Sequence, residues 1–62
     1  MKTIRYDFNY TMENIWGDEV QIYGNDDGPA WVSSPDHFGG QPHEFRDEAA
    51  AYNWAYKRGY RD

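Results

Sequence analysis

Apolar and polar residues alternate from Thr3 to Thr11. Ile4, Tyr6, Phe8 and Tyr10 fall on one face, and Thr3, Arg5, Asp7, Asn9 and Thr11 on the other. This period of two predicts a half-buried strand within Met1 to Met12. Its polar second face predicts a sheet covered on one side only. Glu13 to Asp18 interrupts the pattern and reads as a turn, tightest at Gly17-Asp18. A second strand is expected over Glu19 to Tyr23, with Val20 and Ile22 inward and Glu19 and Gln21 outward. Gly24 to Pro29 is dense in turn formers. Ala30 to Ser33 is expected as a third strand around Trp31 and Val32. Connections this short favour an antiparallel meander.

After Phe45 the period changes to that of a helix. Asp47 is a suitable N-cap, Glu48 suits the positive end of the helix dipole, and three alanines follow. Lys57 and Arg58 suit the last turn, and Gly59 the left-handed position just beyond it. Ala51, Tyr52 and Ala55 share one face, flanked by Trp54 and Tyr56, with Asn53 and Lys57 opposite. The alanine pair would let the helix axis approach a sheet closely. Phe45 to Gly59 reads F-x-x-E-A-A-A-x-x-W-A-x-x-x-G, which resembles the ending of many small bacterial and phage proteins built from a β-meander and a helix.

The expected fold is therefore α+β: a three-stranded antiparallel β-meander covered on one face by a single C-terminal α-helix. It forms one domain over residues 1–62, with the meander to residue 33, a loop over 34–44 and the helix over 47–58. The expected core is Ile4, Tyr6, Phe8, Tyr10, Val20, Ile22, Val32, Phe45, Ala51, Tyr52, Ala55 and part of Trp54. Tyr60-Arg61 offers a short further strand. Ser34 to His43 has no period and holds two prolines and two glycines, so it reads as a connection from sheet edge to helix with Phe38 tucked beneath it.

At 62 residues the core is small, since such a chain buries only about 60% of the surface its unfolded form exposes. No cysteine is present to supply disulfides or thiolate metal sites. Aromatic residues make up 19% of the chain and are the expected substitute, because each brings a large apolar area. No signal peptide or membrane-spanning run is evident, so a cytoplasmic location is expected, without membrane partners. In that setting the sequon Asn9-Tyr10-Thr11 is read as chance.

No motif names a reaction. His37 and His43, beside Asp36 and Glu44, could be read as metal ligands, but they lie on a Gly-Pro loop that fixes no geometry. Asn25 to Gly28 lacks the alternating oxygen ligands of a calcium loop. Ser33 and Ser34 lie in no nucleophile elbow, and the glycines form no phosphate loop. The expectation is a protein without catalytic residues, metal or cofactor.

Charge is the feature that points toward function. The net charge is −5, against direct nucleic-acid binding. From Tyr6 to Phe45 there is no lysine or arginine, while Asp7, Glu13, Asp18, Glu19, Asp26, Asp27, Asp36 and Glu44 all fall there. Unmixed charge disfavours the compact state, so it is either a solubility device or a face for a basic partner. The candidate partner-binding residues are Glu13, Trp16, Asp18, Glu19, Asp26, Asp27, Trp31 and Asp36, with the tryptophans as anchors.

This profile resembles the small acidic inhibitors that phages deploy against host machinery, the anti-CRISPR proteins in particular. The likeness lies in Asp18, Glu19, Asp26, Asp27 and Asp36 on loops around one short sheet and one helix. It implies a non-enzymatic inhibitor acting in the host cytoplasm. Such an inhibitor would bind a nucleic-acid-binding complex, a CRISPR effector, and block DNA binding as a DNA mimic. The rival expectation is a structural or regulatory interaction module that homodimerises through the sheet or binds a non-nucleic-acid partner through aromatics such as Trp16, Trp31 and Phe38; on either reading the chain is expected to be a monomer or a weak homodimer.

Overall fold

A computed structural model describes residues 5–62. Four strands form one antiparallel sheet in chain order: β1 Phe8–Glu13, β2 Glu19–Gly24, β3 Ala30–Ser33 and β4 His43–Phe45. One helix, α1 Glu48–Lys57, lies across the sheet.

Register sorts the side chains into two faces. On the inner face Met12 stands opposite Val20, Tyr10 is in line with Ile22, Val32 and His43, and Phe8 with Gly24, Ala30 and Phe45. Met12, Val20, Ile22, Ala30 and Val32 are buried there beneath Ala51 and Ala55 of α1. Phe8, Tyr10, Phe38, Phe45, Tyr52 and Trp54 pack around this centre. A β-carbon on Gly24 would lie 2.5 Å from the Pro29 carbonyl oxygen and 3.0 Å from the Phe8 ring, so only glycine fits where β1, β2 and β3 converge.

The helix follows from local chemistry. The Asp47 carboxylate accepts from the Ala50 N–H at 2.9 Å. At the other end Gly59 is left-handed, with φ of 93°. Its N–H donates to Tyr56 O, and the Tyr60 N–H donates to Ala55 O. This Schellman arrangement turns Tyr60 back beneath the helix, where it is 3% exposed. The next residue, Arg61, then exchanges two backbone hydrogen bonds with Glu13, of 2.8 and 2.9 Å, along the free edge of β1.

Sheet-plus-helix architecture, the bounds of β3 and the helix caps agree with the sequence, while the strand count does not. The sheet has four strands rather than three, because His43–Phe45 leaves the expected loop to pair with β3. Three residues cannot display an alternation, so nothing in the pattern marks them. Ahead of them Phe38 to Gly40 makes a left-handed turn, with Phe38 itself at φ of 56°. Stacking on His43, with ring centroids 4.3 Å apart, and contacts with Trp54 and Phe45 offset that strain.

β1 begins at Phe8, later than the alternation implies. The backbone bends at Asp7, whose N–H donates to Asn25 Oδ1 and whose carboxylate accepts from the Asp26 N–H. Tyr6 is thereby carried out of the expected core to the outer face, where it is 36% exposed. Ile4, also expected in the core, lies outside the described residues. Met12, Ala30 and Tyr60 are core residues that the pattern did not single out.

Candidate interaction site

The β1–β2 turn, Asn14 to Asp18, is built around one side chain. Asn14 Oδ1 accepts from the backbone N–H of both Trp16 and Asp18, at 3.0 and 2.9 Å. Asn14 Nδ2 also reaches Asp18 Oδ2 at 3.3 Å. A side chain that binds its own turn in this way fixes it without help from the core. The turn therefore projects Ile15 and Trp16 beyond the sheet, 88% and 77% exposed. Two adjacent large apolar residues held outward on a braced turn are the most conspicuous unburied apolar feature of the described surface.

Carboxylates surround this tip. Glu13 and Glu19 face each other across β1 and β2 on the outer face, and Asp18 precedes Glu19. Asp36 reaches the same end, its backbone N–H donating to the buried Ser34 hydroxyl. The Tyr60 hydroxyl is pushed above its ordinary pKa by burial first and then by Asp18 and Asp36. Five of the candidate residues, Glu13, Trp16, Asp18, Glu19 and Asp36, thus gather at one end of the molecule.

The remaining candidates lie elsewhere. Asp26 and Asp27 are exposed on the β2–β3 turn, at the far end of a hairpin about 17 Å long. Trp31 is half-buried on the outer face of the sheet, stacked on Tyr23 with centroids 6.1 Å apart. Phe38 is half-buried among His43, Phe45 and Trp54 and presents no free anchor.

Among the described residues, no ion pair neutralises the carboxylates of this end. The ion pair found among the described residues is Arg46 with Asp47, an exposed contact far along the chain. Arg61 adjoins Glu13 through its backbone, but its guanidinium lies 3.7 Å from the Tyr56 ring centroid and donates to the Tyr56 and Tyr60 carbonyls. Arg58 is likewise stacked over Trp54, at 4.4 Å.

The histidines join an aromatic cluster. His37 Nε2 lies 3.1 Å from the Tyr60 hydroxyl and its ring meets Trp54 edge-on, while His43 stacks on Phe38. Among the described residues no three His, Cys, Asp or Glu side chains converge as metal ligands. Among them, too, no helix is long and apolar enough to cross a membrane.

The outer face carries a second feature that the strand pattern did not reveal. Tyr6, Asn9, Gln21, Tyr23 and Ser33 line a shallow, open cleft of about 240 Å³. Gln21 Nε2 donates to Asn9 Oδ1 at 2.7 Å across its floor. Tyr6 leans on Tyr23 at 5.0 Å and meets Trp31 edge-on. Burial and the neighbouring Tyr6 raise the Tyr23 pKa. Ile15 and Asn14 were also missed from sequence. Their signal is Asn14 and Asp18 spaced to close a turn, with two large apolar residues between them that cannot alternate.

Comparison of the chain with protein-family models, with curated proteins and with solved structures finds no match.

Proposed function

We propose that this protein is a non-enzymatic binding module that docks the Ile15-Trp16 tip and its acidic surround onto a basic partner. The observation that carries this reading is the exposure of both apolar side chains on a turn that Asn14 holds rigid. A rigid aromatic loses little conformational freedom on binding, and the carboxylates beside it steer approach to a positive surface. The exposed Ile15 and Trp16 and the neighbouring Glu13, Asp18 and Glu19 support this reading.

A surface shaped to receive phosphates is the partner whose charge fits best. The proposed action is that of the anti-CRISPR inhibitors the sequence resembles: occupancy of the DNA-binding surface of a CRISPR effector complex, with no bond made or broken. Asp26 and Asp27, at the opposite end, fall outside this contact.

The test is binding to a purified effector complex at low salt, at high salt and with excess duplex DNA. Trp16→Ala and the double reversal Asp18→Lys/Glu19→Lys are expected to weaken binding at least tenfold, whereas Asp26→Lys/Asp27→Lys changes it less than threefold. Salt and DNA are expected to displace the wild-type protein. Binding that survives both, or that is lost only on reversal of Asp26 and Asp27, overturns the assignment.

A further inference from the structure

The outer-face cleft has a composition unlike the rest of the surface. Its lining residues, Tyr6, Asn9, Gln21, Tyr23 and Ser33, carry no formal charge, in a chain of net charge −5. Polar atoms make up most of its exposed lining, Tyr6 and Tyr23 stand at its edge, and Trp31 backs Tyr23 through their stack. The hydrogen bond from Gln21 to Asn9 uses one donor and one acceptor. Each amide keeps a second function, Gln21 Oε1 as acceptor and Asn9 Nδ2 as donor, and neither has a partner among the described residues. Beside them Ser33 offers a hydroxyl that both donates and accepts.

We infer that this cleft is a binding site for a neutral saccharide, which stacks on Tyr6 and Tyr23 and is held at its hydroxyls by Asn9, Gln21 and Ser33. A sugar ring presents C–H groups on its flat face and hydroxyls at its rim. The C–H groups suit the electron-rich face of tyrosine, and the hydroxyls suit paired donors and acceptors. The volume lies below the roughly 300–1,000 Å³ typical of drug-sized ligands, leaving room for one or two rings.

Two other occupants of aromatic surfaces fit less well. A polyproline segment needs a slot between separated rings, but Tyr23 and Trp31 stack directly, 21° from parallel. A nucleic-acid strand would bring phosphates toward Glu44, which faces Trp31 across the sheet, and toward Asp7 beside Tyr6. The site is separate from the Ile15-Trp16 tip and does not rest on its role.

The experiment is amide chemical-shift mapping of the full chain with cellohexaose, maltohexaose and chitohexaose, each to millimolar concentration. Oligothymidylate and a proline decapeptide form the competing arms. Shifts confined to Tyr6, Asn9, Gln21, Tyr23, Ser33 and the Trp31 indole with at least one saccharide are expected. Tyr6→Ala and Gln21→Met are expected to weaken that binding about tenfold while each keeps a cooperative thermal melt, and Trp16→Ala is expected to leave the saccharide binding unchanged. Tyr6 precedes the sheet and Gln21 is exposed, and the Gln21→Met variant keeps the test open if loss of the Tyr6 packing unfolds the chain. Absence of shifts with all three saccharides overturns the inference, as does binding of only the oligonucleotide or the peptide. Saccharide binding untouched by both variants overturns it as well.

Discussion

Replacing Gly24 with alanine tests the packing logic at the point where three strands meet. The added carbon would sit 2.5 Å from the Pro29 carbonyl oxygen, 2.9 Å from the Ala30 α-carbon and 3.0 Å from the Phe8 ring. Non-bonded carbons prefer about 3.5–4.0 Å, so backbone on β3 must retreat by about 1 Å. The ring could swing aside, but a carbonyl held in a turn cannot. Overpacking of this kind costs about 1–3 kcal/mol. The whole domain is worth roughly 3–9 kcal/mol at its length. Its unfolding entropy, scaled per residue, converts the upper half of that cost to a fall in melting temperature of roughly 15–25 °C.

Gly28→Ala, in the same turn, is the matched control. Its β-carbon would meet only Asn25 Cβ, at 3.9 Å, so its melting temperature should stay level or rise slightly. Thermal unfolding followed by circular dichroism, with urea unfolding as the second probe, compares the two. A loss under about 5 °C for Gly24→Ala, or equal losses for both variants, would refute the close-packed junction.

Asp47→Ala should cost about 1 kcal/mol, or roughly 8 °C, by freeing the Ala50 N–H, and Asp47→Ser should recover most of that loss in the same melts. The tyrosines predict the response to alkali. Burial and the hydrogen bond to Glu48 hold the Tyr10 hydroxyl far above its ordinary pKa, and burial raises Tyr23 and Tyr60 less strongly. The native state therefore keeps protons that the unfolded chain gives up near pH 10. Stability is full below that pH and falls as pH rises through it. Urea midpoints measured from pH 8 to 11 should decline steeply above about 9.5, and Tyr10→Phe should flatten the decline. An unchanged slope in that variant would remove Tyr10 from the account.

How much of the molecule was legible in the sequence depended on how local each signal was. The helix was legible because Asp47 and Gly59 act within one turn of themselves. β3 was legible because a short apolar run between two turn clusters has little else to become. Tyr6 defeated the alternation because its position is decided by Asp7, which is bound to a turn that lies eighteen residues away. β4 was invisible because its three residues gain their hydrogen bonds from the free edge of β3 and its neighbours from aromatic stacking. The acidic residues could be named from the sequence, but only register could divide them into a cluster around Trp16 and a separate pair at Asp26 and Asp27. The cleft was hidden for a related reason: Asn9, Gln21 and Ser33 look like ordinary outward polar residues until pairing puts them side by side.

The backbone pair between Glu13 and Arg61 also bears on how the chain reaches its native state. It joins residues far apart in the sequence, and it occupies the last residue of the edge strand β1. Tyr60, which fills the core, arrives with it. The sheet can form from neighbouring hairpins, yet it has neither its full core nor the pairing at Glu13 until residues 60 and 61 have been synthesised. Folding should therefore finish as one late, cooperative step after translation has passed those residues. In the interval before it, the nascent hairpins depend on their acidic turns for dispersal.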